Sequence, residues 1–252
     1  MLRSFALHDV ALNHIAALER WYYRDHAPEI VRRYGPWMTR FECYLPVPVP
    51  EEAQVYGFHN WRMTEGWWRH LPETGTQDDL CFTPPPVWAR VAPVFVPPQP
   101  TEHFLACDWL PLEKSCIRWL MLLRYPGWVP ADVGDEWFLR VHAPEVAALP
   151  GLVRFLSWKA LADVGHVPGR WRPDTAPPAG NVQPHWHRVA ELWFETLDDW
   201  REFVEAAASC SRPKWATAPS YPFLRPYEGL ASTFLLERPN DDFLRDLRGY
   251  VP

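Results

Sequence analysis

The sequence predicts an α+β protein in which two ferredoxin-like repeats form a pseudo-dimeric α+β barrel. Two observations predict this fold class: one nine-residue segment occurs twice, and each copy sits in the same order of predicted strands and helices. Residues 21–29 (WYYRDHAPE) match residues 137–145 (WFLRVHAPE) at six of nine positions, with a constant offset of 116. Self-similarity at a fixed offset indicates an internal duplication.

The second repeat shows the element order most clearly. Alternating and continuous apolar patterns predict strands, and an acidic first turn followed by helix formers predicts helices. The predicted elements are a strand at 116–125, a helix at 132–149, strands at 152–159 and 188–194, a helix at 197–208 and a strand at 229–237. This order is the split βαβ unit of ferredoxin-like domains.

The first repeat follows the same order more loosely. We predict strands at 3–8, 37–45 and 56–62 and a short second helix at 65–71. Trp61 and Trp68 match Trp193 and Trp200 at an offset of 132, which places His59 opposite Glu191. Residues 83–100 are too rich in proline for a central strand, and within them only 91–96 suit an edge strand.

These patterns divide the chain into a first repeat (1–100), a linker (101–115) and a second repeat (116–252) that carries an inserted loop at 163–186. Each sheet buries one face under its helices, so the two remaining faces are expected to cover each other. A barrel of roughly eight strands is either filled by side chains or holds one small ligand. A loop as long as 163–186 is typical of a lid or binding loop, and we expect it at the mouth of the cavity.

Composition excludes several classes of function. The net charge of -6 and the lack of a basic run argue against nucleic-acid binding. Five scattered cysteines without a CxxC pair predict neither disulfides nor a metal site. No apolar stretch reaches 18 residues, so we expect no membrane association and a cytoplasmic location. GxGxxG and GxxxxGK[ST] motifs are absent, and no cofactor is expected. Association into a homodimer is left open.

Two segments also carry a family resemblance. The pattern Trp21-x-x-x-x-His26-Ala27-Pro28 running to Gly35, together with residues 190–196 (AELWFET), resembles the EthD-type branch of the dimeric α+β barrel superfamily. The resemblance implies a small, mostly apolar ligand. Relatives include polyketide cyclases, muconolactone isomerases, decarboxylases, cofactor-free monooxygenases and, more distantly, haem proteins, so the resemblance does not select the reaction.

Strand alternation selects the first catalytic candidates. In strand 188–194, Glu191 and Trp193 lie on the face turned away from the helices, and His187 shares that face. In the predicted strand 56–62, His59 and Trp61 share one face. A general acid and base in a partly apolar cavity can have pKa values near neutrality, which proton transfer requires. Alternatively, these side chains are hydrogen-bonded interior polar groups without a role in catalysis.

The repeated histidines His26 and His142 form the second set of catalytic candidates. Each precedes Ala-Pro within a helix, where proline removes a backbone donor, so the imidazole has a structural explanation as well. In the family this histidine often lies near the pocket. Arg24 and Arg140, two residues earlier, would bind a carboxylate in bidentate fashion or pair with the glutamate that ends the repeated segment.

Aromatic side chains supply the expected walls of the pocket. They are either core residues or contacts of an aromatic substrate; the candidates are Trp61, Trp193, Tyr22, Tyr23 and Tyr44. The sequence therefore predicts a cofactor-independent lyase or isomerase that decarboxylates, dehydrates or cyclises an aromatic or polyketide-like molecule. The alternatives are a cofactor-free monooxygenase, a haem protein with His26 or His142 as axial ligand, and a non-catalytic binder of hydrophobic molecules.

Overall fold

The computed structural model describes residues 1–70, 86, 88–106, 116–161 and 185–246 of the chain. In the first repeat it contains β1 (Leu2–Val10), α1 (Ile15–Arg20), α2 (Ala27–Tyr34), β2 (Met38–Tyr44), β3 (Arg62–Trp68) and β4 (Ala89–Val96). The following elements are β5 (Glu102–Leu105), β6 (Ile117–Leu123), α3 (Ala131–Trp137), α4 (Ala143–Ala147), β7 (Leu152–Lys159), β8 (Arg188–Phe194), α5 (Leu197–Ala207), β9 (Leu230–Leu235), β10 (Asp241–Asp242) and α6 (Phe243–Asp246).

The strands form two five-stranded antiparallel sheets with the same internal order. The first sheet runs β10-β2-β3-β1-β4 and the second β5-β7-β8-β6-β9. Without the outermost strands β10 and β5, both sheets have the ferredoxin-like order. The predicted fold class is therefore confirmed. β7 and β8 have the predicted bounds; β8 is buried over its whole length and β7 over five of its eight residues.

The third strand of the first repeat was predicted in the wrong place. Residues Glu51–Tyr56 form a 3-10 helix, and the strand spans Arg62–Trp68, where a helix was predicted. Arg3 pairs with Trp67 as Arg118 pairs with Trp193, so the equivalent positions of β3 and β8 differ by 126 residues rather than 132. The register of β3 is set by its hydrogen bonds to the central strand β1. The spacing of the tryptophans along the chain does not set it. The equivalent of Glu191 is therefore Glu65, and His59 precedes β3.

The outermost strands are exchanged between the repeats. β5 follows the first repeat but pairs with β7, whereas β10 follows the second repeat but pairs with β2. Part of the predicted linker 101–115 is thus a strand, and the proline-containing β4 is an edge strand. Residues 107–115 and most of the predicted inserted loop, 162–184, lie outside the described residues. The division of the chain at 101–115 stays a prediction.

The two sheets face each other across a filled interior. Phe5 and Leu7 of β1 share one apolar cluster with Leu120 and Leu122 of β6. Backbone hydrogen bonds connect the two repeats at the sheet edges, among them those from Val47 N to Phe234 O and from Leu161 N to Phe95 O, each 2.9 Å long. The barrel is closed by these contacts. Among the described residues no helix has the length and apolarity needed to cross a membrane.

Two related arginines lie inside the barrel. The Arg3 guanidinium lies 5.0 Å from the ring of Trp158 in the other sheet, and that of Arg118 lies 4.7 Å from the ring of Tyr44. Arg3 also pairs with Glu65 at 2.7 Å. Because Arg3 and Arg118 occupy equivalent positions of β1 and β6, the interior follows the pseudo-twofold symmetry of the repeats.

Candidate active site

A cavity of about 580 Å³ opens at one mouth of the barrel. Its wall is built by β4, by the turn after β6 and by the segment that leads into β9. Polar and aromatic side chains line much of it: His59, Arg90, Arg124, Tyr125, Trp128, Trp186, Arg225, Tyr227 and Glu228. Of the predicted catalytic residues, the structure places only His59 in this wall.

His59 is held by the backbone on both sides. Its N–H donates to Ser232 O at 2.8 Å, and Ser232 N donates to Gly57 O at 3.0 Å. Gly57 has a φ of 65°, and a Cβ at this position would lie 2.4 Å from Leu230 O, so only glycine fits the turn. The chain therefore aligns with β9 and brings His59 to the cavity.

The chemistry of the His59 imidazole follows from its surroundings. The side chain is 4% exposed, and its Nδ1 lies 3.2 Å from Gly57 O. Because a carbonyl only accepts, Nδ1 carries the proton and Nε2 carries the lone pair. Burial is the main reason that the pKa of His59 is lowered; Asp9 and the hydrogen bond to Gly57 oppose this effect in part, and Arg90 adds a smaller lowering effect. At neutral pH the imidazole is thus a neutral base.

Three arginines give the cavity a positive wall. Arg225 is neutralised by Glu228, with Nη1 3.1 Å and 3.4 Å from the carboxylate oxygens. The Arg90 guanidinium lies 4.8 Å from the centre of the Tyr227 ring. Neither Arg90 nor Arg124 forms a salt bridge with an acid in the described part of the chain. Arg90 lies opposite Asp9 on the neighbouring strand β1, whereas Arg124 has no ion-pair partner in that part of the chain. With three arginines and one glutamate, the lining is net positive, a setting that favours an anionic ligand.

Tyr125 connects the cavity to His187. The Tyr125 hydroxyl donates to Asp135 at 3.0 Å, and its backbone N–H donates to His187 Nδ1 at 3.0 Å. The two rings stack at 4.7 Å. Burial is the main reason that the pKa of His187 is lowered. His187 therefore lies behind the cavity wall.

Glu191 and Trp193 lie in the barrel interior rather than at the cavity. Trp193 Nε1 donates to Glu191 at 2.8 Å, and Arg118 lies 3.6 Å from the other carboxylate oxygen. Glu191 is 3% exposed. The expectation that His59 and Glu191 occupy equivalent cavity positions is wrong, because it used the incorrect register of β3.

His26 and His142 end two short π-helical turns, Trp21–His26 and Phe138–His142. His26 stacks on Trp21 at 4.6 Å, and His142 stacks on Tyr221 at 5.4 Å. Burial lowers the pKa of His142 to about 3. Both imidazoles pack within the helix layers, and neither lines the cavity.

The predicted aromatic contacts lie mainly under the helices of the first repeat. Trp61 Nε1 donates to Glu19 at 3.0 Å, and Tyr23 donates to Asp241 at 2.7 Å. Tyr22 is fully buried, and burial raises the pKa of its hydroxyl. Tyr44, as described above, lies between the sheets. None of these side chains lines the described cavity.

Arg24 and Arg140 are exposed and do not reach the cavity. Arg140 pairs with Glu136 at 3.8 Å, one helical turn earlier, rather than with the glutamate of the repeated segment. In the first repeat that glutamate, Glu29, pairs with Arg33 at 3.1 Å. Arg140 thus pairs with a neighbour one turn away, and so does Glu29.

Sequence reasoning missed most of the cavity wall. Arg90, Arg124 and Tyr227 come from an edge strand and two irregular segments, where no periodic pattern marks a direction. Turn residues lie close to them in the sequence, such as Pro126 and Gly127 after Arg124, but they indicate irregular structure rather than a binding site. Trp186, at the end of the predicted insertion, does line the cavity.

Comparison with known proteins leaves the family open. The family model "Chalcone isomerase N-terminal domain" matches residues 1–83, about a third of the chain. The chain is also similar to the crystal structure of an anthrone oxidase-like protein (9% identity, TM-score 0.47), covering 93% of this chain and 90% of that one. A mutant chlorite dismutase from Candidatus Nitrospira defluvii is similar at 9% identity and a TM-score of 0.46, covering 97% and 93%. No curated protein matches.

The two five-stranded sheets, which have the same internal strand order, define the fold class of the protein. Its fold is that of a dimeric α+β barrel in which both halves belong to one polypeptide. Its candidate site is a mixed aromatic and cationic cavity at one barrel mouth.

Proposed function

We propose that this protein is a cofactor-independent isomerase or lyase that acts by general acid–base catalysis on an aromatic or polyketide-like small molecule. One observation carries the proposal: the cavity is lined by His59, a buried neutral imidazole whose Nδ1 is fixed by Gly57 O. Fixing one ring nitrogen defines the tautomer and leaves Nε2 as the base. Dehydration, decarboxylation and ring closure all require such a positioned proton acceptor.

In this mechanism His59 Nε2 accepts a proton from the bound substrate and returns it to another atom of the same molecule. The negative charge that develops on a substrate oxygen is stabilised by Arg90, which is close enough to influence the pKa of His59. Trp186 and Tyr227 line the same cavity and supply aromatic side chains against which an aromatic substrate can pack. In this proposal His187, His26, His142 and Glu191 have structural roles.

The family match favours isomerisation within this class. Residues 1–83 match the N-terminal domain of chalcone isomerase, an enzyme whose name describes an isomerisation; this segment contains both His26 and His59. The resemblance to the EthD-type branch stays a prediction, as do a cytoplasmic location and association into a homodimer.

A haem protein is a poorer explanation of the site. His142 is 2% exposed and lies face to face with Tyr221, so an axial ligand bond would require this stacked pair to separate. His26 is covered on one side by Trp21. The residues around these histidines do not fit a haem, and we derive no step through one.

Replacing His59 by asparagine tests the proposal. Asparagine can still donate to Gly57 O but does not accept a proton near neutral pH. We expect turnover to fall about 100-fold or more while thermal stability stays close to that of the wild type. The measurement is mass spectrometry of a panel of hydroxylated chalcones and phenolic acids after incubation with each protein.

The mass of the product identifies the reaction. A product with the mass of the substrate but a different absorption spectrum indicates isomerisation. Loss of CO₂ or of water from the substrate indicates a lyase. A gain of oxygen atoms with oxygen consumption would identify a cofactor-free monooxygenase instead. Wild-type turnover by His59→Asn would show that His59 is not the base, and recovery of every compound unchanged would favour a binding protein.

A further inference from the structure

We infer that the substrate is an aromatic carboxylate whose anionic group binds Arg124, while Arg90 serves the reacting end of the molecule near His59. The inference rests on the proposed function, because it concerns the same cavity. It goes further by dividing the cavity into an anchoring end and a reacting end. The three arginines of the cavity differ in whether an acid compensates their charge.

Arg124 is fixed in the wall by its backbone. It follows β6 directly, and its N–H donates to Gly229 O at 2.9 Å. A Cβ on Gly229 would lie 3.0 Å from Arg124 O, so the two segments touch closely. Thr217 Oγ1 accepts from the N–H of Arg225 at 2.9 Å and holds the same loop. The half-buried Arg124 side chain therefore starts from a defined position in the cavity wall.

Arg225 offers a natural contrast to Arg124. Both residues line the cavity, but Arg225 is paired with Glu228 three residues later. An anion that approaches Arg225 also meets the charge of Glu228. Arg124 has no acid within ion-pair distance among the described residues, so its attraction for an anion is not cancelled in this way.

Arg90 is already engaged with a ring. Its guanidinium lies over Tyr227, whose hydroxyl donates to Phe58 O at 3.3 Å. This packing holds Arg90 on the side of the cavity that carries His59. Arg90 is thus placed to stabilise the negative charge that develops on the substrate during proton transfer. Arg124 is available to bind the anionic group that the substrate carries before the reaction.

A carboxylate on an aromatic ring suits both Arg124 and the wall around it. The planar guanidinium can donate two parallel hydrogen bonds to a carboxylate. The remaining wall near it is aromatic, with Tyr125, Trp128 and Trp186. An aromatic ring that carries a carboxylate satisfies both features, and a neutral aromatic molecule would leave the charge of Arg124 unused.

The test compares cinnamate with its neutral amide, cinnamamide, by isothermal titration calorimetry on the full chain. We expect wild-type protein to bind cinnamate about tenfold or more tightly than cinnamamide, since a charge-assisted bidentate contact is stronger than a neutral one. Arg124→Gln should abolish that preference, and Arg124→Lys should retain part of it. Arg225→Gln is the matched control and should keep the preference.

Each outcome decides the inference independently of the proposed function. Equal binding of the two probes to the wild type, or an unchanged preference in folded Arg124→Gln, would overturn the anchoring role. His59→Asn should bind cinnamate as the wild type does, which separates binding from proton transfer. If that variant also turned over substrate normally, the proposed base would be wrong while the carboxylate site remained.

Discussion

The buried histidines of this chain show why burial alone does not identify a base. His59 and His142 are both almost inaccessible, and burial lowers the pKa of each. His59 has a hydrogen bond that fixes its tautomer and a cavity beside it. His142 is enclosed by rings, with Tyr221 stacked on its face and Trp137 4.7 Å away. Of the two, only His59 has both a fixed tautomer and an adjacent cavity that a substrate can enter.

His142 should make the protein sensitive to acid. Its pKa is about 3 in the folded protein but about 6.5 when the chain is unfolded. Between these values the unfolded state binds a proton that the folded state excludes, so stability falls as the pH decreases below 6.5. The slope is about 1.4 kcal/mol per pH unit for one such group.

Replacing His142 by phenylalanine removes this titration and keeps a ring against Tyr221. We expect His142→Phe to lose less stability than the wild type between pH 7 and pH 5, by about 2 kcal/mol. Urea unfolding at several pH values measures the difference, and other buried histidines such as His8 cancel in the comparison. Parallel pH profiles for the two proteins would contradict the low pKa of His142.

At the level of secondary-structure elements, the exchanged strands carry two equivalent ion-pair clusters. In the first, Arg62 binds Glu19 of its own repeat at 2.8 Å and lies 3.8 Å from Asp241 on β10. In the second, Arg188 binds Asp135 at 2.8 Å and Glu102 on β5 at 2.8 Å. Each arginine thus joins the sheet, a helix and the strand donated by the other repeat.

The two clusters should differ in strength. Arg188 is 1% exposed, and Glu102 also contacts Ser157, whereas Asp241 is farther from its arginine. We expect Glu102→Gln to destabilise the protein by about 1–3 kcal/mol, because a buried cation loses a charged partner. Asp241→Asn, the matched change in the other cluster, should cost less than about 1 kcal/mol. Urea midpoints at pH 7 give both values, and equal losses would show that the exchanged strands are not held in this way.

The same elements show how far the sequence determines the fold. Strands 152–159 and 188–194 were predicted with the bounds they have in the structure, because each is a mainly apolar segment that is largely buried. In the first repeat the tryptophan pair Trp61 and Trp193 suggested a register six residues away from the true one. The correct register matches Arg62 with Arg188 and Trp67 with Trp193, but only pairing with β1 and β6 reveals it.

The candidate site was less predictable than the fold. His59 was selected from alternation in a strand that does not form, and it reaches the cavity because its backbone binds Ser232 on β9. Arg90 and Arg124 come from different repeats and meet only when the barrel closes. Local patterns contain no information on such long-range contacts, so the positive wall could not be predicted from them.

For the whole molecule, the exchanged segments make each repeat incomplete on its own. Tyr56 and Phe58 of the first repeat pack into the helix–sheet core of the second. In return, Phe243 and Leu244 of the C-terminal helix α6 pack into the core of the first. The facing sheets share a third cluster. Because each of these three clusters contains residues of both repeats, we expect the two repeats to fold and unfold together.

Phe243→Ala tests this coupling from one end of the chain. Phe243 is 2% exposed and contacts Phe41 and Tyr22 of the first repeat, so its loss leaves a cavity there and should cost about 3 kcal/mol. We expect urea unfolding to remain a single transition in which circular dichroism and tryptophan fluorescence coincide. Hydrogen exchange should speed up by similar factors in β1 of the first repeat and in β6 of the second, although Phe243 packs into the core of the first. Faster exchange confined to the first repeat would show that the halves unfold independently and that the shared clusters do not couple them.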